Sequence, residues 1–298
     1  MKNKTLSAHL ALLIANLIYA ASYTIARKVT NGPIHPFGLV LLRACGAVIL
    51  FWLTGALLEK EKVEKGDLLR FALLAVVGVA INQLFFLKGL SLTSPISASI
   101  MMITTPILVL IIAAIVIRER ITPLRLVGIF TGFAGAVLLM AANSPAGGKR
   151  DNPFGDVFVF INALSWGAYL VLVKPMMLKY RAITILKWVF LFGLILVFPF
   201  GLSEVREIQW ASMQGSDWFN TLFVIIATTY LAYLLNTYAL NALSPSIVSA
   251  YIYLQPLMAA AIALYAGSDR LDGSKGLSAL LIFAGVYLVS KPGKKEAL

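Results

Sequence analysis

The 298-residue sequence is poor in the groups that most enzymes use, with 13 acidic residues, two histidines and one cysteine. Cys45 lacks a partner for an internal disulfide, and with only His9 and His35 no metal site of the usual kind can be assembled. Every Asp and Glu lies in a loop or close to the end of an apolar run. We therefore expect no metal, no cofactor and no catalytic residue of the paired-acid or nucleophile–base kind.

Charged residues are scarce as a whole, since they make up 13% of the chain whereas hydrophobic residues make up 60%. Soluble domains carry about 25% charged residues. A chain of this length cannot hide so many apolar side chains in one core, so lipid must contact much of its surface. The net charge of +12 does not indicate nucleic acid as a partner, because the basic residues cluster where apolar runs meet lipid headgroups.

Ten apolar segments are long enough, or nearly so, to cross a bilayer as helices, and they lack the alternation of membrane strands. The fold class we expect is therefore an all-α integral membrane protein with ten transmembrane helices. The predicted spans are 7–26, 36–58, 69–89, 94–117, 122–142, 154–174, 182–202, 218–240, 245–266 and 276–290.

Lys and Arg are distributed unevenly between the two sets of loops. With the N-terminus in the cytoplasm, the cytoplasmic side holds the larger share, which fits the positive-inside rule. We therefore expect a multi-pass protein of the cell (inner) membrane with both termini cytoplasmic. The first segment follows Lys2 and Lys4 like a signal peptide, but polar residues interrupt it, and we interpret it as a retained span.

The sequence repeats itself. Residues 94–106 read SPISASIMMITTP and residues 244–256 read SPSIVSAYIYLQP, with four identities at an offset of 150 residues. At that offset Asp67 also matches Asp217, and Phe133-Ala134-Gly135 matches Phe283-Ala284-Gly285. Each half has five predicted spans. Because five is odd, the second half enters the membrane from the side opposite to the first. We therefore predict two inverted five-helix repeats, 1–142 and 154–298, joined by a linker at 143–153.

The repeated prolines fall at two different places in their helices. Pro106 and Pro256 lie half-way along the fourth and ninth spans, where each frees the carbonyl four residues earlier, those of Met102 and Ile252. A free carbonyl is tolerated inside a membrane only beside protein or a water-filled cavity. We expect kinks beside a cavity; simple packing kinks are the alternative. The earlier prolines of each pair should start helices, with Ser94 and Ser244 as caps.

Polar and aromatic side chains share faces of several predicted spans, at spacings of three, four and seven residues. We predict that these faces line one central pathway, although polar contacts that hold helices together are the alternative, especially for the asparagines and serines. The candidates are Asn16, Tyr19, Tyr23, Gln83, Ser99, Asn162, Trp166, Tyr169, Tyr233, Ser249 and Tyr253.

One basic residue, Arg43, lies about seven residues into the second span, or roughly 10 Å deep. Such a residue is costly in lipid and usually faces protein or water. It either receives a carboxylate or phosphate of a substrate or reaches the membrane surface beside a local partner. No carboxylate lies at mid-membrane to carry a proton, which favours uniport or exchange over proton coupling.

A double pattern resembles a known family. Ser-Pro, a second proline, an acidic residue and a glycine-rich last helix occur as Ser94-Pro95, Pro106, Glu119 and Gly128/Gly132/Gly135, and again as Ser244-Pro245, Pro256, Asp269 and Gly285. The chain resembles the EamA-like family of the drug/metabolite transporter superfamily over nearly its whole length. In the second half Asp269 replaces the usual Glu, and Ser278 and Ile282 replace two of the glycines.

The resemblance implies a secondary transporter rather than an enzyme, with export favoured over import. Its substrate would be a small polar or amphipathic metabolite, and amino acids are the favoured class. With ten spans and inverted repeats we expect alternating access. A membrane partner subunit that transports nothing, or a membrane enzyme that modifies lipids, are the alternatives.

Overall fold

The computed structural model describes residues 2–58, 61–93, 95–143, 152–265 and 273–291, and every regular element in these ranges is helical. The α-helices are α1 (Lys2–Thr30), α2 (Pro36–Leu58), α3 (Lys65–Ala75), α4 (Asn82–Leu92), α5 (Pro95–Met102), α6 (Thr105–Val116), α7 (Pro123–Asn143), α8 (Pro153–Leu172), α9 (Ala182–Arg206), α10 (Gly215–Leu222), α11 (Ala232–Ala242), α12 (Pro245–Ala250), α13 (Leu254–Tyr265) and α14 (Gly273–Ser290). Short 3₁₀ segments at Lys174–Leu178 and Trp210–Ser212 follow α8 and α9.

Several consecutive helices join into rods that are long and apolar enough to cross a membrane. Within the described residues there are seven: Lys4–Thr30, Pro36–Leu58, Lys65–Leu92, Pro153–Leu178, Ala182–Arg206, Gly215–Ala242 and Pro245–Ile262. Three shorter apolar helices are Thr105–Val116, Pro123–Leu139 and Lys275–Ser290. The prediction of an all-helical, multi-pass membrane protein is confirmed.

Large apolar side chains lie on the outside of the helices. Leu57, Ile115 and Leu280 are examples, with 86%, 74% and 69% of their surface exposed. In water such a surface would be unfavourable, whereas in a bilayer these side chains meet hydrocarbon. The apolar outer surface therefore agrees with the high content of hydrophobic residues in the chain.

The fourth and ninth sequence segments are interrupted just before their central prolines. Residues Ile103 and Thr104 separate α5 from α6, and Pro106 is in the first turn of α6. In the second half a 3₁₀ turn, Tyr251–Tyr253, separates α12 from α13, and Pro256 follows in the first turn of α13. Because proline has no N–H to donate, the helix is weakest one turn before it, where both interruptions occur.

A second pair of interruptions consists of π-helical stretches, in which the hydrogen bonds span five residues instead of four. One stretch, Val76–Ile81, lies between α3 and α4, and the other, Phe223–Leu231, lies between α10 and α11. The two overlap at the 150-residue offset of the sequence repeat. Each stretch changes the direction in which the following side chains point.

Glycines allow a close contact between α7 and α14. A Cβ atom on Gly285 would lie 2.5 Å from the backbone nitrogen of Gly132, and one on Gly128 would lie 2.8 Å from the carbonyl oxygen of Gly285. Small residues let membrane helices approach until their backbones touch. The glycine-rich pattern in the sequence therefore serves helix packing.

Ser244 is at the N-cap position of α12, as expected, but its side chain makes no capping hydrogen bond. The backbone carbonyl of Ser244 instead accepts from Ile247 and Val248, at 3.1 and 3.0 Å. The prediction of a side-chain cap is therefore wrong for Ser244, whereas its counterpart Ser94 lies outside the described residues.

Candidate functional site

A polar cavity lies between helices of both halves of the chain and encloses about 60 Å³ of water-accessible space, enough for a few water molecules. Seven of the residues predicted from the sequence line it: Asn16, Tyr19, Tyr23, Arg43, Asn162, Trp166 and Tyr233. They come from α1, α2, α8 and α11. The tertiary structure therefore gathers four separate helix faces at one place.

The other five predicted pathway residues, Gln83, Ser99, Tyr169, Ser249 and Tyr253, lie outside the lining of this cavity. Tyr169 stacks against Trp166 with ring centroids 5.4 Å apart, which places it behind the cavity wall. Tyr253 packs against α7, where a Cβ on Gly132 would lie 2.5 Å from its ring. Ser249 donates to the carbonyl of Ser246 at 3.1 Å, within its own helix.

Nine further residues line the cavity and were not among the candidates: Ser22, Asn82, Phe86, Met102, Thr228, Asn236, Val248, Ile252 and Gln255. Met102 and Ile252 are the residues whose carbonyls Pro106 and Pro256 leave free, so the proline pattern did indicate them. Asn236 follows Tyr233 by three residues on the same helix face. No pattern in the sequence indicated Asn82. It follows a π-helical stretch that rotates α4, and this rotation changes which side chains of α4 face the cavity.

A chain of hydrogen bonds joins α1 to α13 along one wall of the cavity. The Tyr23 hydroxyl donates to Gln255 Oε1 at 3.0 Å, and Gln255 Nε2 donates to Asn16 Oδ1 at 2.8 Å. Asn16 Nδ2 in turn donates to the carbonyl of Leu12 at 2.8 Å. All three polar side chains are buried, so each hydrogen bond replaces one that water would otherwise supply.

A second set of contacts holds another part of the cavity wall. The Tyr233 hydroxyl lies 3.1 Å from the carbonyl of Gly78 and 2.9 Å from Asn82 Oδ1 and donates to them. Asn162 Nδ2 donates to the carbonyl of Asn82 at 2.6 Å. The rings of Trp166 and Tyr233 meet edge to face, with centroids 5.2 Å apart. One face of the cavity is therefore aromatic, and its hydroxyls and amides are held in fixed positions.

Arg43 is 4% exposed and lies at the cavity wall. Its Nε donates to Thr229 Oγ1 at 2.8 Å, and Thr229 Oγ1 donates to the carbonyl of Val224 at 2.8 Å. This second bond spans five residues within the π-helical stretch Phe223–Leu231. The π-helical stretch therefore places the hydroxyl that orients the Arg43 guanidinium.

The basic residues near span ends behave differently from Arg43. Lys187 Nζ lies 5.2 Å from the centre of the Trp52 ring, at the side of the bundle. At the start of α3, Asp67 binds Lys179 and accepts from the Tyr180 hydroxyl at 2.7 Å. The hydrogen bonds from Lys179 to Asp67 and Glu64 raise the pKa of Lys179 above its ordinary value. These contacts tie helix ends together rather than line the cavity.

His9, one of the two histidines, contacts a tyrosine of the second half of the chain. Its Nδ1 lies 2.6 Å from the Tyr251 hydroxyl. In the part of the chain that the structure describes, no three His, Cys, Asp or Glu side chains come together as a metal site would require. The lining chemistry is instead that of amides, hydroxyls, aromatic rings and one guanidinium.

A polar cavity enclosed by apolar, membrane-length helices is typical of membrane transporters for small molecules. The sequence matches the EamA-like transporter family over residues 6–141 and 153–291, and the chain belongs to this family. The resemblance seen in the sequence motifs is therefore confirmed.

Relatives of nearly full length are known from several kingdoms. An uncharacterized transporter of Archaeoglobus fulgidus is 29% identical over 97% of this chain and 98% of its own length. Protein WALLS ARE THIN 1 of Arabidopsis thaliana is 26% identical over 98% of this chain and 84% of its own length. A solved crystal structure with 19% identity covers 97% of both chains with a TM-score of 0.75, so the fold is shared.

Proposed function

We propose that this protein is a secondary transporter that moves small polar or amphipathic metabolites across the cell membrane by alternating access. Amino acids are the favoured substrates, and export is the favoured direction. The observation that carries the proposal is the polar cavity, whose lining includes the residues four positions before Pro106 and Pro256. A substrate at this place would contact both halves of the chain next to their interrupted helices.

We propose further that the ten spans form two inverted repeats, and the helix contacts support this arrangement. Two pairs of corresponding helices, α7 with α14 and α2 with α9, contact each other directly. The contact of α1 with α11 has its counterpart in that of α8 with α4. Such reciprocal contacts are expected when a pseudo-two-fold axis relates the halves.

The chemistry of the lining supports amino acids. Amide side chains such as Asn162 and Asn236 supply neutral acceptors, Arg43 supplies a positive charge, and Trp166 supplies an aromatic surface. A zwitterion with an apolar side chain matches these three kinds of group. Three of the five aromatic lining residues, Tyr19, Tyr23 and Phe86, come from the first half of the chain, and Trp166 and Tyr233 come from the second.

Alternating access needs elements that have two discrete arrangements. The interruptions before Pro106 and Pro256 and the two π-helical stretches border the cavity, and each leaves backbone carbonyls outside the regular α-helical pattern. We propose that the halves rock about the cavity and that these interruptions absorb the bending.

The test is release of compounds from proteoliposomes that contain the purified protein and a mixture of amino acids and other small metabolites. Mass spectrometry follows each compound outside, with and without a pH gradient. The double variant Pro106→Ala/Pro256→Ala is compared with Pro199→Ala, since Pro199 lies inside α9 and faces outward. We expect selective release that does not depend on the gradient, lost in the double variant and kept in Pro199→Ala.

No release above that of empty liposomes would contradict the transporter proposal and favour a partner subunit. Unchanged release from the folded double variant would show that the prolines serve packing only. Release that requires the pH gradient would replace uniport or exchange by proton coupling.

A further inference from the structure

Arg43 differs from Arg125, another buried basic residue of the described part of the chain, in its partners. Arg125, 2% exposed, pairs with Glu119 at 3.0 Å. Arg43, 4% exposed, has no ion pair with any acidic side chain of the described residues, and its one hydrogen bond there runs from Nε to the neutral hydroxyl of Thr229. Among the described residues, no acidic side chain compensates its positive charge.

A buried charge without a partner is unfavourable, and inside membrane proteins such residues usually face a functional cavity. The guanidinium of Arg43 lies at the cavity wall, and its terminal nitrogens have no hydrogen-bond partner among the described residues. Two terminal N–H groups held in one plane match the two oxygens of a carboxylate. The bond to Thr229 fixes the orientation of this plane before any ligand arrives.

The number of charges limits the ligand. Arg43 is the single Lys or Arg among the described residues that line the cavity, and no Asp or Glu lines it. One carboxylate would pair with the charge of Arg43, whereas a second negative group would find no positive partner in a site of low dielectric constant. A phosphate monoester or a dicarboxylate is therefore disfavoured.

The remaining surface suits an apolar body and one donor group. The rings of Trp166, Tyr233 and Phe86 line the cavity. Asn162 Oδ1, buried and without a hydrogen-bond partner among the described residues, is a neutral acceptor at the same cavity. An ammonium or hydroxyl group on the ligand would satisfy it.

We propose that the cavity selects organic monocarboxylates and that Arg43 binds their carboxylate group. The inference rests on the proposed function, because it takes the cavity to be the substrate site. It narrows the substrates to anions and zwitterions that share one carboxylate, and it assigns to Arg43 the role of the residue that determines this specificity.

The test uses the intact protein in detergent and measures how ligands shift its melting temperature. Four probes with the same aromatic body vary the carboxylate and the ammonium group: phenylalanine, 3-phenylpropanoate, phenylalaninamide and phenethylamine. Leucine and leucinamide form a second pair with an aliphatic body. We expect the carboxylates to bind more than about 30-fold more tightly than the amides and the amine, as the loss of a buried charge partner implies.

The variants Arg43→Gln and Arg43→Lys test the residue, and Lys187→Gln is the control, because Lys187 lies beside Trp52 and outside the cavity lining. Arg43→Gln should bind carboxylates about 30-fold more weakly than the unaltered protein does, whereas its weak binding of amides should not change. Arg43→Lys should bind carboxylates with intermediate affinity, whereas Lys187→Gln should bind like the unaltered protein. A further variant, Arg43→Met, should melt at the same or a higher temperature without ligand, because it removes an uncompensated buried charge.

Equal binding of carboxylates and amides, or unchanged carboxylate binding by Arg43→Gln, would overturn the proposal, as would failure of every carboxylate to bind. A lower melting temperature of ligand-free Arg43→Met would show that Arg43 serves stability instead. Transport measured in proteoliposomes separates the proposed binding by Arg43 from the proposed transport function. If carboxylates bind through Arg43 but are not transported, the transport proposal is refuted and the binding proposal stands.

Discussion

Gln255 Nε2 donates a 2.8 Å hydrogen bond to Asn16 Oδ1, which joins α13 to α1 across 239 residues of sequence. Gln255 immediately precedes Pro256, so the residue that links the two helices is next to the interruption of one of them. Its other amide atom, Oε1, accepts from the Tyr23 hydroxyl. A rotation of α13 would therefore break two buried hydrogen bonds at once.

The first prediction concerns Gln255→Leu. The change removes both hydrogen bonds and leaves Asn16 and Tyr23 with fewer partners in a buried place, at a cost of about 1–3 kcal/mol for each unsatisfied group. We expect release from proteoliposomes to fall by about 10-fold or more and the melting temperature to decrease. Gln209→Leu is the control, since Gln209 is exposed in a loop; equal effects of the two changes would contradict a role of this link.

The second prediction concerns Tyr233→Phe, which keeps the ring and removes the hydroxyl. The bonds to the carbonyl of Gly78 and to Asn82 disappear, and we expect a destabilisation of about 1–2 kcal/mol with weaker transport. Tyr287→Phe in α14 is the control, because Tyr287 is 64% exposed. Its effect should stay within about 0.5 kcal/mol. Thermal unfolding of both variants tests this prediction. If Tyr233→Phe is as stable as the unaltered protein, the ring of Tyr233 and not its hydroxyl contributes to stability.

The third prediction uses two glycines of α14. Gly285→Ala forces a methyl group within 2.5 Å of the Gly132 backbone, whereas Gly276→Ala meets nothing within 4 Å. Because neither backbone can retreat without separating α7 from α14, we expect Gly285→Ala to cost about 1–3 kcal/mol. Gly276→Ala should be neutral or slightly stabilising. Melting temperatures of purified protein check both, and similar values for the two variants would show that α7 and α14 have room to adjust.

The fourth prediction concerns the orientation of the two repeats. In a Cys45→Ala background, single cysteines replace Lys62, between α2 and α3, and Gln209, between α9 and α10. Inverted repeats place these two corresponding loops on opposite sides of the membrane. A maleimide that does not cross membranes should label the Gln209→Cys protein in intact cells and the Lys62→Cys protein only after lysis.

Labelling of both positions from the same side would contradict the inverted arrangement. Labelling of Lys62→Cys alone in intact cells would keep the inversion but reverse the orientation inferred from Lys and Arg. The transport activity of each labelled variant, measured before labelling, verifies that the substitutions leave the fold unchanged.

The sequence correctly predicted an all-helical, multi-pass membrane protein because the signals for this class are local. Lipid requires long apolar helices, so the spans are visible as runs, and proline cannot donate a backbone hydrogen bond, so the interruptions near Pro106 and Pro256 follow from two residues. The family could be recognised for the same reason, since its motifs are short stretches of sequence that occur once in each half of the chain.

The site was only partly predictable. Helical spacing shows which side chains share a face of a helix, but not which part of the protein that face contacts. Tyr169 and Tyr253 lie on faces with other candidates, yet they pack behind the cavity against Trp166 and near Gly132. Asn82 lines the cavity because the π-helical stretch before it changes the register of α4. No helical spacing in the sequence carries that change.

The sequence alone determined that this chain resides in a membrane and that two of its helices are interrupted near Pro106 and Pro256, since these properties depend on composition and on single residues. Only the tertiary structure decided that Arg43 meets the hydroxyl of Thr229 and no acidic side chain of the described residues. Which groups a buried charge finds depends on how distant helices pack, and packing is a property of the whole chain rather than of any segment.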